Sequence, residues 1–150
     1  MKRASSEKVL LDVNVLLALA WPNHQYHATA TNRLDASSER WATCALTQLG
    51  FIRPSTNPTS SDRASLPRKR PHCWPRCCPT RMHLFIEAMP SPVTPPHVQD
   101  FDRVLGAKQL TDLYLLRVAA NASARFLTFD SRLEELARDM CQVEVLGRFH

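Results

Sequence analysis

Three acidic residues end apolar runs that lie far apart in the chain: Asp12 in Leu10-Leu11-Asp12-Val13-Asn14, Asp112 in Leu110-Thr111-Asp112-Leu113-Tyr114, and Asp130 in Leu127-Thr128-Phe129-Asp130. A carboxylate at the edge of a buried element is costly to desolvate unless a cation or a hydrogen-bond donor answers it. Two carboxylates about 4 Å apart repel by roughly 4 kcal/mol at an effective dielectric of about 20, so a shared site of such acids calls for a neutralising cation. Mg²⁺ or Mn²⁺ suits carboxylate oxygens and keeps several waters, one of which can serve as nucleophile toward a phosphodiester. Each acid also has a purely structural reading. Asp112 follows Thr111 at the start of a helical pattern, where capping and the helix dipole favour an acid. Asp130 precedes Ser131-Arg132-Leu133 and reads equally as a turn or cap residue. Asp12 is harder to explain this way, because Val9 to Leu19 is otherwise apolar except for Asn14.

The elements that must position these acids follow from periodicity. Val9 to Leu11 predicts a short buried strand that delivers Asp12 to its carboxyl end, and Val15 to Trp21 predicts a helix stopped by Pro22. His24 to Leu34 reads as a second helix, with His24 and His27 as ordinary surface histidines. Trp41 to Cys44 predicts a strand and Leu46 to Arg53 a helix ended by Pro54. Phe101 to Leu105 reads as helical, with Gly106 as its terminus. In the next helix Asp112, Leu115, Leu116, Ala119 and Ala120 share one face at i, i+3, i+4, i+7 and i+8. Arg125 to Thr128 predicts a strand with Asp130 just beyond it, Ser131 to Arg138 a helix, and Val143 to Leu146 a final strand. Strands alternating with helices imply a parallel sheet wrapped by helices, and in such sheets sites form outside the carboxyl ends of the strands. The topology thus gives the three acids a reason to converge.

With 150 residues the chain is one domain's worth, long enough for a core without disulfides. Lys2, Arg3, an apolar stretch and Ala18-Leu19-Ala20 imitate a secretory signal, but Glu7, Asp12 and Asn14 argue for a buried strand and helix instead. No run approaches the length of a membrane span, so a soluble protein is expected. The cysteines, Cys44, Cys73, Cys77, Cys78 and Cys141, are odd in number and irregularly spaced, which suits reduced thiols in a cytoplasm. The net charge of +5 is local in origin. Between Thr59 and His83, Arg63, Arg68, Lys69, Arg70, Arg76 and Arg81 face the single acid Asp62, and the remaining basic and acidic residues balance. Global charge therefore gives no argument for nucleic-acid binding unless this segment is a binding arm.

The stretch from Pro54 to Pro96 holds every proline except Pro22 and shows neither helical nor strand period over most of its length. Only Met82 to Met89 offers a short element; the rest reads as loop or disorder. A zinc site built from His72, Cys73, Cys77, Cys78 and His83 is disfavoured, because Cys-x3-Cys-Cys lacks the paired Cys-x2-Cys geometry. The Arg/Lys run with Trp74 reads either as an RNA-contacting arm or, more simply from its composition, as a solvated loop.

Four motifs in order resemble the PIN-domain ribonucleases, and within them the VapC-type toxins of bacterial toxin–antitoxin pairs. They are Leu10-Leu11-Asp12-Val13-Asn14-Val15-Leu16, Trp41 through Arg53, Leu110-Thr111-Asp112-Leu113-Tyr114-Leu115-Leu116, and Leu127-Thr128-Phe129-Asp130. The resemblance spans residues up to about 58 and from about 101 to the end. It implies an α/β/α sandwich with a short parallel sheet, Mg²⁺ or Mn²⁺ held by Asp12, Asp112 and Asp130, cleavage of single-stranded or looped RNA, a VapB-like antitoxin partner and a homodimer. Asn14 matches a polar residue that buttresses the first acid, and Thr128 a hydroxyl near the last. Gln48 stands where many members carry a further Glu, and a neutral amide oxygen is the weaker ligand. An inactive module that keeps the fold and binds antitoxin or RNA without cutting is the alternative. From Thr59 to His83 the family has packing helices, whereas this chain has Pro67, Pro71, Pro75 and Pro79 at four-residue steps. That composition is what a reading-frame slip, later restored, would give. Resequencing independent clones of the coding region tests this, and an intact frame throughout removes it.

Overall fold

Val9, Leu10 and Leu11 are all fully buried, although successive strand residues face opposite ways, so both faces of this strand must be covered. In the computed structural model, which describes residues 7–56 and 82–148, this strand is β1 (Lys8–Leu11) at the centre of a five-stranded parallel sheet of order β3-β2-β1-β4-β5. Its neighbours are β2 (Arg40–Cys44) and β4 (Arg125–Thr128); β3 (His83–Ile86) and β5 (Val143–Val145) form the edges. Val9 and Leu11 pack with Val15, Leu16 and Phe51 on one face, while Leu10 packs with Leu115, Leu116 and Phe126 on the other. The first face is covered by α1 (Val13–Ala20), α2 (His27–Asp35) and α3 (Ala45–Thr56). The second is covered by α4 (Ala107–Asn121) and α5 (Arg132–Ala137), which completes the expected α/β/α sandwich.

The sheet order places a topological switch between β1 and β4. The chain steps from β1 out to β2 and β3, then returns through α4 to pair β4 on the other side of β1. Leu11 lies opposite Leu127 in the parallel register, so the residues after both strands, Asp12 and the Thr128–Asp130 turn, emerge side by side. The crevice that such sheets form outside the carboxyl ends of their strands is thus expected between them.

Several boundaries differ from the sequence reading. Helix α3 continues through Pro54 to Thr56, since a proline in the last turn removes only one helix hydrogen bond near an end. The expected helix over Phe101 to Leu105 is instead a 3-10 turn, His97–Arg103, and Val104 leaves it in extended conformation. Gly106 caps the start of α4 rather than ending the preceding element. Helix α2 starts at His27 because the His24 ring Nδ1 accepts the Tyr26 amide at 3.1 Å and holds a turn there. His27 Nδ1 is 2.8 Å from the Ala18 carbonyl oxygen, tying α2 to α1. The short element near Met82 to Met89 is the edge strand β3. The region from Thr59 to Arg81, with its frame-slip and RNA-arm readings and with His72, Cys73, Cys77 and Cys78 of the zinc reading, lies outside the described residues, while His83 begins β3.

At the end of the sheet opposite that crevice lies a cluster of charges. Glu39, whose side chain is only 4% exposed, pairs with Arg33 of α2 at 2.9 Å and with Arg125 at the start of β4 at 2.5 Å. Glu144 of β5 closes the ring, accepting from Arg33 at 2.5 Å and Arg125 at 3.0 Å.

Candidate active site at the carboxyl edge of the sheet

Asp12 leaves β1 in extended conformation and caps α1, its Oδ1 accepting the Val13 amide at 2.7 Å. Its Oδ2 accepts the Thr128 hydroxyl at 2.6 Å, and its own amide donates to the Leu127 carbonyl at 2.9 Å. Thr128 is fully buried and acts as a hub: the same Oγ1 accepts from the Asn14 amide at 3.4 Å and from the Asp130 backbone amide at 3.1 Å. Side chains 116 residues apart in sequence are thus locked together at the β1–β4 crevice. Burial pushes the Asp12 carboxyl above the usual range, the Thr128 and Val13 hydrogen bonds pull it down, and the Asp130 charge pushes it up again.

Asp112 sits in the second turn of α4, six residues beyond the Gly106 cap. That corrects the structural reading of it as a helix-start residue, since capping and the dipole act within the first turn. Burial, then the charges of Asp12 and Asp130, push its carboxyl up to about 6, while Arg132 pulls the other way. Asp130 has a guanidinium partner. Its Oδ2 accepts from Arg132 Nη2 at 2.6 Å, and its Oδ1 accepts from Arg132 Nε at 2.9 Å and from the Arg132 amide at 3.0 Å. Its carboxyl is held below the usual range by those bonds. Asp130 therefore also fills the turn role that the sequence left open for it.

Asp12 and Asp130 follow paired strands, and the charges of both act on Asp112. Among the described residues, however, no three His, Cys, Asp or Glu side chains stand together as a ready-made metal cage. The donor chemistry nevertheless fits a hard divalent cation: mutually repelling carboxylate oxygens, plus the buried Asn14 Oδ1, which has no hydrogen-bond partner among the described residues. Gln48, in the first turn of α3, points its amide Nε2 at Thr43 Oγ1, 3.0 Å away. Buried Thr43 is in turn 2.7 Å from His83 Nε2, and that ring packs against Trp41 with centroids 4.4 Å apart. Arg132 and the Thr43–His83 pair escaped the sequence reading. The Asp130-x-Arg132 spacing was a usable signal for the first, whereas Thr43 and His83 are joined only through the β2–β3 pairing.

The raised Asp112 carboxyl has a stability consequence. The folded chain holds this proton more tightly than the unfolded chain, so the associated stability is complete below 3.8 and is lost as pH rises through about 6. In metal-free protein, Asp112→Asn is expected to melt above wild type at neutral pH, with the gap closing as pH falls through that window. Paired melting curves across pH check this, and a gap that does not change with pH contradicts it.

No protein-family model matches the chain. It is 36% identical over 140 residues to Ribonuclease VapC38 of Mycobacterium tuberculosis, an alignment covering 91% of this chain and 96% of the relative. Ribonuclease VapC44 of the same species is 38% identical over 127 residues, covering 84% of this chain and 88% of its own. Ribonuclease VapC39 is 34% identical over 129 residues, covering 85% and 92%.

Proposed function

This chain belongs to the VapC family of ribonucleases, the endoribonuclease toxins of VapBC toxin–antitoxin pairs, and from that premise we propose that it hydrolyses phosphodiester bonds in structured RNA at the β1–β4 crevice with Mg²⁺ or Mn²⁺. Asp12, Asp112 and Asp130 are the residues that would hold the ion. The observation that carries this reading is the convergence of charge on Asp112, a half-buried carboxyl raised to about 6 first by burial and then by the charges of Asp12 and Asp130, which Arg132 offsets only in part. When bound, the ion supplies Lewis acidity toward the phosphoryl oxygen and lowers the pKa of a coordinated water.

The chain's own residues set up that chemistry. Thr128 and the Val13 amide fix both oxygens of Asp12, so its orientation is set before any ligand arrives. Asn14 leaves Oδ1 as a buried acceptor without a partner among the described residues, while its amide donates to the same Thr128 hydroxyl that bonds Asp12. Arg132 is exposed and held by Asp130, and a guanidinium at the rim of an acidic crevice suits a phosphate of the approaching RNA. Gln48, steadied by Thr43, stands on the same edge as a neutral oxygen donor. The partners that follow are a VapB antitoxin and a second copy in a homodimer, in the cytoplasm. Among the described residues no helix is long and apolar enough to cross a membrane.

The test is incubation of purified protein with structured RNA in Mn²⁺, with and without chelator. Cleavage that disappears on chelation is expected. Retained antitoxin or RNA binding with no cleavage in Mn²⁺ would establish the inactive binding module instead.

A further inference from the structure

Helix α3 carries Gly50 in its interior, where glycine is a poor helix former, so its presence calls for a packing reason. A Cβ built on Gly50 would lie 2.5 Å from Val13 Cγ2, 3.3 Å from Val13 Cγ1 and 3.5 Å from Val13 Cβ. Both methyls of Val13 thus lie close to the glycine, on a β-branched side chain whose χ1 is stiff. Next to Gly50, Phe51 is 1% exposed and anchors α3 in the core, so α3 is not free to retreat. Val13 is the first residue of α1, and its amide holds Asp12 Oδ1.

We propose that Gly50 is a positioning residue for Asp12: the bare backbone of α3 lets Val13 seat against it, and this seat fixes the start of α1 and with it the carboxylate. Restoring an ordinary contact of 3.4 Å to a Cβ at position 50 requires a shift of about 0.9 Å. Functional groups tolerate displacements of only about 0.5 Å. The inference rests on the metal-site reading for its functional consequence, but its geometric claim concerns the metal-free protein.

Gly50→Ala, Val13→Ala and the double variant separate these claims. Alanine is the better helix former, so Gly50→Ala is expected to melt close to wild type while binding Mn²⁺ about tenfold or more weakly by calorimetry. In metal-free protein its residue-13 amide proton moves upfield, as the hydrogen bond to Asp12 lengthens. The double variant, with room restored at position 13, is expected to recover both readouts, judged against Val13→Ala alone. Wild-type Mn²⁺ affinity and an unmoved amide in Gly50→Ala would overturn the proposal, and so would a double variant as impaired as Gly50→Ala. If wild type itself binds no Mn²⁺, the metal-site reading fails, and the amide shift and its recovery alone decide the positioning claim.

Discussion

Asp12→Asn is expected to lower Mn²⁺-dependent RNA cleavage by about a thousandfold, the loss of several kcal/mol of transition-state stabilisation at about 1.4 kcal/mol per factor of ten. The fold should survive. An Asn oxygen can still accept the Val13 amide, and its NH₂ can donate to Thr128 Oγ1 in place of the long 3.4 Å contact from Asn14. Burial is the leading cause that raises the Asp12 carboxyl, so the ionised side chain is a cost to the metal-free fold. Asp12→Asn in chelator should therefore melt no lower than wild type. Added Mn²⁺ should raise the melting temperature of wild type, because a ligand that binds only the folded state stabilises it, and should raise that of the variant far less. Single-turnover cleavage and paired melting curves measure the two effects. A variant that cuts RNA at the wild-type rate removes Asp12 from the chemistry.

The largest loss of stability is expected at the other end of the strands. Glu39→Ala leaves Arg33 and Arg125 turned toward each other with Glu144 as their remaining shared acid. The ring is part-buried and Glu144 still answers both guanidinium groups, so the expected cost is that of lost charge-assisted hydrogen bonds, about 1.5–3 kcal/mol. For a chain of this size that corresponds to a fall in melting temperature on the order of 5 °C. Glu39→Gln keeps two hydrogen-bond positions and should fall less. The pH signature is distinct as well. Burial raises the Glu39 carboxyl, the hydrogen bonds from Arg125 and Arg33 outweigh it, and the net position is below its ordinary 4.5. Its contribution is therefore present above 4.5 and lost as pH falls through the lowered value. Denaturant melts of wild type and Glu39→Ala should converge at low pH; an equal gap at all pH values would mean that packing, not charge, is what Glu39 supplies.

Much of the site's scaffold was legible because it is written in local pattern. An apolar run of strand length that ends in an acid is visible at Leu10-Leu11-Asp12 and again at Leu127-Thr128-Phe129-Asp130, and parallel pairing of those strands places their ends side by side. What escaped is what depends on partners distant in sequence. Glu39 and Arg125 are 86 residues apart, and Arg33 and Glu144 are 111 apart, so no window of periodicity contains either pair. Helix starts were the other weakness. The α4 pattern was read from its apolar stripe, which begins where burial begins, whereas the helix begins earlier at an exposed turn capped by Gly106. That error alone made Asp112 look like a capping residue. Gly50 gives no signal in the sequence beyond its place in a motif, because the close approach of α3 to Val13 belongs to packing and leaves no trace in composition.

Strand β4 carries Arg125 at its first residue and Thr128 at its last, a rise of about 10 Å at 3.3 Å per residue. Sites that far apart, with no shared partner, contribute to stability nearly additively. The ion-paired end can then act as a remote handle. A variant that loosens the acidic end could be rescued by substitutions that tighten packing around Arg33 and Glu144, so the reactive edge can be varied freely while the opposite end of the sheet keeps the chain folded.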